Sequence, residues 1–205
     1  MECRSSHGLS LAVVVIVAAA GCPAAQVKPP PPPQPSLVGA WQSGCFKIVN
    51  ADETEGSARA TFGVTDSLWA MDTQIFGDDT CGQVVGTVHS DGGYALERPS
   101  SIAPGAWELR LDVRTRKVTP HVDGFIAYLQ AVSCGDGYKV DRAMDILDLS
   151  CPALGAQPFA TCGAEHDVVV VNGMTLTLGA RPADGNVCTP AARPRALGKP
   201  FTRMP

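Results

Sequence analysis

The 205-residue chain has no long basic run, no Cys-x-x-Cys pair, no Gly-x-Ser-x-Gly, no His-Glu-x-x-His and no glycine-rich phosphate loop. Each absence removes a class of function. Charged residues make up 18% and the net charge is −4, so nothing can follow a phosphate backbone and nucleic acid is excluded as a partner. Without closely spaced thiols or histidines there is no framework for zinc, and no metal or other cofactor is expected. Without a nucleophile elbow or a phosphate cradle, neither serine-hydrolase nor nucleotide chemistry has its usual support. The apolar run at residues 9–20, interrupted only by Ser10, is shorter than the roughly 20 residues that a bilayer span needs.

That run instead has the layout of a targeting segment. Arg4 gives a minimal positive start, offset by Glu2, and the run ends in Ala19-Ala20-Gly21-Cys22. Small residues directly before a cysteine resemble the lipobox of bacterial lipoproteins, which implies cleavage before Cys22 and lipidation of its thiol. More than one acyl chain there would anchor the protein stably to a membrane. The domain plan expected is a signal peptide over residues 1–21, a lipidated cysteine and proline-rich linker over 22–36, and a folded domain over 37–205. Prolines 29–33 and Pro35 favour extended polyproline II, a spacer that holds the domain off a membrane surface.

Beyond Cys3 and Cys22, six cysteines remain: Cys45, Cys81, Cys134, Cys151, Cys162 and Cys188. An even number in an oxidising compartment implies three disulfides. The fifteen possible connectivities are not separable by sequence. Pairing in chain order (Cys45 with Cys81, Cys134 with Cys151, Cys162 with Cys188) is the arrangement carried forward.

From Leu37 onward the pattern is mainly that of strands. Residues 58–65, 68–76, 83–89, 94–96 and 107–114 carry apolar positions with turn residues between them. The alternation of Trp107, Leu109, Leu111 and Val113 against Glu108, Arg110, Asp112 and Arg114 is the clearest. Ser90-Asp91-Gly92-Gly93 reads as a turn. Val122, Phe125, Ile126, Leu129 and Val132 recur at helical spacing, with Thr119 as cap, Pro120 in the first turn and Gly135 as stop. Residues 142–149 and 168–171 return to strand, and Asn172-Gly173 predicts a hairpin with 174–178. Residues 180–205, rich in proline and arginine, are expected to wrap the surface, held by Cys188. The fold class is therefore mainly β: an antiparallel barrel-like domain with one packed amphipathic helix.

Four groups invite a chemical reading. His89, Ser90 and Asp91 are triad residue types, but three neighbours on a turn cannot line up nucleophile, base and orienter. Glu165, His166 and Asp167 with His121 lack metal-ligand spacing. Asp72, Asp78 and Asp79 read as turn carboxylates. The aromatics Trp41, Phe62, Trp69, Phe76, Tyr94 and Trp107 either fill the barrel or line a cavity for an apolar ligand.

Gly39-x-Trp41 at the start of a first strand resembles the opening motif of lipocalins and other calycin barrels. A longer series of motifs runs Gly39-x-Trp41-x-Ser43 with Cys45, Trp69, Phe76-x-Asp78 with Cys81, and Gly93-Tyr94 leading into Pro99-Ser100. It continues through Gly105-Ala106-x-Glu108, Thr119-Pro120, Cys134-Gly135, Asp145-Ile146, Cys151 with Leu154-Gly155, and Asp167. Arg181-Pro182 and Arg193-Pro194 complete it. In this order they resemble the domain of the adenomatosis polyposis coli down-regulated family, over residues 37–197. The resemblance implies a barrel-like β domain with a hydrophobic cavity. The family's animal members carry two such domains and restrain Wnt signalling, and the resemblance implies a site that holds the signalling protein's lipid. One domain and no carboxy-terminal transmembrane helix are expected from the sequence, and Phe46 stands where the family often has an acidic residue, so a Wnt role is not implied.

The expected function is non-catalytic binding of an apolar, acyl-chain or lipidated ligand by a monomeric lipoprotein of the bacterial cell envelope. By the sorting rule of bacterial lipoproteins, Pro23 rather than aspartate after Cys22 implies the outer membrane in a Gram-negative cell. The competing expectation is a protein-interaction module with no internal cavity, and an enzyme ranks third. Cavity volume separates the first two.

Overall fold

The computed structural model describes residues 33–49, 55–182 and 185–205. The expected leader, Cys22 and the linker as far as residue 32 lie outside the described residues.

β1 (Gly39–Ser43) pairs antiparallel with β3 (Glu55–Val64), aligning Trp41 with Phe62, and β2 (Phe46–Val49) extends the same side of β3. β4 (Leu68–Phe76), β5 (Val84–Pro99) and β6 (Trp107–Pro120) follow as long antiparallel hairpins. β8 (Ala164–Asn172) pairs with the first half of β6, and β7 (Met144–Asp145) with its second half. β9 (Thr175–Gly179) forms a hairpin with β8, and β10 (Leu197–Arg203) lies between β9 and β1. Setting β2 and β7 aside, eight strands close on themselves in the order β1, β10, β9, β8, β6, β5, β4, β3. The result is a closed antiparallel barrel of calycin-like architecture, which has no open edge along its closed wall.

Two apolar clusters fill it. Trp41, Phe62, Trp69, Trp107, Leu109 and Leu111 belong to the first, near the end where β1 begins. The second gathers Ile75, Val118, Ile146 and the residues that arrive between β6 and β8. That connection carries α1 (Asp123–Ala131) and the short α2 (Phe159–Cys162) and stops the barrel's far end. α1 buries Phe125 and Leu129. Gly86 on β5 makes the docking possible, since a Cβ there would sit 2.2 Å from the Phe125 ring.

Several expected boundaries move. Ser90-Asp91-Gly92-Gly93 is not a turn but the middle of β5. A Cβ on Gly92 would lie 1.7 Å from Asp112 O, so the glycine allows close approach of β6 at a bulge instead of reversing the chain. Thr119 and Pro120 do not cap the helix; they pair with Thr87 and Gly86 as the last residues of β6, and α1 starts at Asp123 without a side-chain cap. Of residues 142–149, only Met144–Asp145 forms strand, paired with Val118 and Lys117. The tail does more than wrap the surface, because β10 is the strand that closes the barrel.

The three disulfides join Cys45 to Cys81, Cys134 to Cys151 and Cys162 to Cys188, as chain order suggested. The second ties the chain just beyond α1 to the 3-10 turn Pro152–Leu154.

Candidate functional site

Among the six aromatics, strand pairing brings four into one cluster. Trp41, Phe62, Trp69 and Trp107 are 0%, 0%, 4% and 6% exposed. The Phe62 and Trp69 rings lie 6.3 Å apart between centroids. Two of the buried indoles find backbone carbonyls: Trp41 Nε1 donates to Leu37 O at 2.8 Å, and Trp69 Nε1 to Asp112 O at 3.3 Å. Tyr94 packs on the margin of the cluster and donates its hydroxyl to Thr65 O at 3.1 Å. Phe76 is buried but stands apart from this cluster, with the Arg59 guanidinium 5.6 Å from its ring centroid. Trp41, Phe62, Trp69, Phe76 and Trp107 retain almost no accessible surface and are interior packing, whereas Tyr94 is partly exposed.

The polar candidates are dispersed. His89 and Asp91 share the outer face of β5, whereas Ser90 between them faces the opposite way. His89 Nδ1 lies 2.8 Å from Asp72 Oδ1 on β4, and Nε2 lies 3.0 Å from Asp91 Oδ2. Both ring nitrogens are thus occupied by carboxylates, and no hydroxyl is aligned with the imidazole as a nucleophile. Partial burial opposes the charge, but Asp72 and Asp91 outweigh it and raise the His89 pKa above its ordinary value.

His121 is held by Thr87 Oγ1 at 3.1 Å and Asp141 Oδ1 at 2.7 Å, partners other than Glu165, His166 and Asp167. Asp78 organises the turn after β4. Its carboxylate accepts from the backbone N–H of Thr80, Gly82 and Gln83 and from the Thr80 hydroxyl, which together hold it far below the usual carboxylate range.

Two charged networks escape sequence reasoning. Arg116, 4% exposed, donates through Nη2 to Glu165 Oε1 at 2.7 Å and through Nη1 to Gln157 O at 3.2 Å, while Arg181 binds the other Glu165 oxygen. Burial raises the Glu165 pKa, and Arg181 and Arg116 more than reverse that, leaving it below its ordinary value. Outside the wall, Arg193 donates to Glu108 Oε2 at 2.6 Å, Glu97 Oε2 at 2.5 Å and Asp167 O at 2.9 Å. Its neighbour His166 lies 3.3 Å away, and burial and Arg193 lower its pKa below the ordinary imidazole value. These ion pairs bind strand to strand and tail to wall.

Two open clefts lie on the described surface. One, of about 350 Å³, runs between residues 34–38 and Asp66, Tyr94 and Leu96. The other, of about 400 Å³, lies beside Gly137, Lys139, Arg142 and Met144. The first cleft includes Leu37, a member of the aromatic cluster, and Tyr94 and Leu96, which pack against it; no residue of that cluster lines the second. Among the described residues, no helix is long and apolar enough to cross a membrane.

The fold and its packing define a disulfide-braced, calycin-like barrel with a side-chain-filled interior. No family model matches the chain, and no curated protein matches it in sequence.

Proposed function

We propose that the protein is a membrane-tethered, non-catalytic interaction module of the cell envelope, which recognises a partner on the outside of its barrel. The observation that carries this reading is the packed interior: Trp41, Phe62, Trp69 and Trp107 occupy the place an apolar ligand would need. The lipobox-like Ala19-Ala20-Gly21-Cys22 and the proline-rich linker support tethering. Three disulfides support residence in an oxidising compartment, consistent with a bacterial envelope and, through Pro23, its outer membrane. Kinship with the adenomatosis polyposis coli down-regulated family belongs to this proposal. The ordered motifs and the barrel support it, but the filled interior is the reason acyl-chain binding is not carried over with it.

The test is photo-crosslinking in intact envelopes from exposed wall positions such as Arg114 and Lys117, with the intact mass of the purified chain. A protein adduct, with an acyl mass increment at Cys22, is expected. Lipid adducts alone from every wall position, or an unmodified Cys22 in a chain that stays soluble, would overturn the reading.

A further inference from the structure

The large apolar side chains left exposed are not spread evenly over the described surface. Val38, Leu68, Met174 and Met204 are 38%, 45%, 59% and 39% exposed, while the other two, Val140 and Phe159, belong to the connection between β6 and β8. The first four share one end of the barrel. The Arg203 backbone N–H donates to Met174 O at 2.8 Å, Met204 N–H to Ala40 O at 2.8 Å, and Arg203 Nη2 to Val38 O at 2.9 Å. The β8–β9 turn, the last residues of the chain and the start of β1 therefore form one rim. Gly39 pairs with Val64, which brings the β3–β4 turn and Leu68 to the same rim.

The tether joins the barrel there too, since the residues before Leu37 run directly into Gly39. Cys22 stands eleven residues before Pro33, a reach of about 40 Å at full extension. An acyl anchor at that position keeps the barrel within this distance of the bilayer. An end bearing half-exposed valine, leucine and methionine gains by resting its apolar groups in the boundary between headgroups and acyl chains. Methionine adapts to an irregular surface, and the Tyr94 ring beneath the β3–β4 turn suits headgroup depth. Asp66, the carboxylate of that turn, remains at the level of the headgroups.

We propose that this rim is the membrane-facing surface: Val38, Leu68, Met174 and Met204 seat the tethered barrel on a phospholipid bilayer, leaving its wall and far end free for a partner. The inference rests on the tethered reading above. It is tested by hydrogen exchange on the full lipidated chain in vesicles of phosphatidylethanolamine and phosphatidylglycerol, compared with the same chain in detergent-free buffer after release of the acyl groups. The expected result is exchange slowed about tenfold at residues 66–68, 173–175 and 203–204, with residues 137–143 unchanged. In the doubly substituted L68E/M174E chain, that protection is lost while flotation with the vesicles persists.

A wild-type chain that floats but shows no protection at the rim overturns this inference and leaves the tethered reading standing. A chain purified from its own envelope with Cys22 unmodified, which neither floats nor gains protection, overturns both. Rim protection in a C22A chain added to vesicles supports the rim even where the anchor is absent.

Discussion

The guanidinium of Arg203 lies 5.2 Å from the centre of the Trp41 ring, and its Nη2 donates to Val38 O at 2.9 Å. One side chain thus joins the last strand to the first and covers the indole that fills the barrel's tether end. The closure is specific to the shape of arginine, which can stack on a ring and donate in the same plane. Arg203→Ala is expected to destabilise the fold by about 1–3 kcal/mol. Arg203→Lys keeps the charge and loses the planar stacking, so it should fall between the two. Urea denaturation followed by tryptophan fluorescence reads both; an unchanged midpoint for Arg203→Ala would show that the seam does not depend on this contact.

Glu165 is the shared acceptor of Arg116 and Arg181. Glu165→Gln leaves the buried Arg116 without its counter-charge and should cost about 3–5 kcal/mol. Replacing the pair together, R116M/E165L, should be far milder, because no buried charge is stranded. The lowered Glu165 pKa makes its contribution fully present above the ordinary carboxylate range and lost as pH falls through the folded value. Denaturation at neutral and acid pH checks the sign.

The His89 bridge runs the other way. Because its folded pKa is raised, the stabilisation from Asp72 and Asp91 is complete below the ordinary imidazole value and disappears as pH rises through the folded one. NMR titration of the imidazole should place its midpoint above that of a free histidine. His89→Gln should flatten the stability profile across that window. A midpoint at or below the ordinary value would contradict the bridge.

Cys162–Cys188 anchors the tail that supplies the closing strand. The double variant C162S/C188S should lose about 3 kcal/mol, from a closed loop of 26 residues. Local hydrogen exchange in β10 should rise more than in β4. Equal effects in the two strands would show that the tail is held by its ion pairs, not by this bond.

Much of the wall was legible in the sequence because its signals are local. Residues 68–76 form strand as expected, the alternation from Trp107 extends into β6, and Asn172-Gly173 turns β8 into β9. The failures have physical causes. Ser90 to Gly93 are turn formers by type, yet here the glycines serve close packing between strands. In β10, Gly198 and Pro200 break the apolar pattern, so only pairing with β1 and β9 reveals a strand. The aromatic set was identifiable, but whether it lines a hollow or fills one depends on distant partners brought together by closure. Arg116 and Glu165, 49 residues apart, had no local signal that they would meet.

Native mass spectrometry of the full chain, offered fatty acids and phospholipids, tests the filled barrel most directly. The expected spectrum shows the covalently modified chain with three disulfides and no stoichiometric non-covalent acyl adduct. A retained acyl ligand, lost when Trp69 or Trp107 is replaced by a charged residue in a chain that still folds, would contradict it and restore the barrel interior as the binding site.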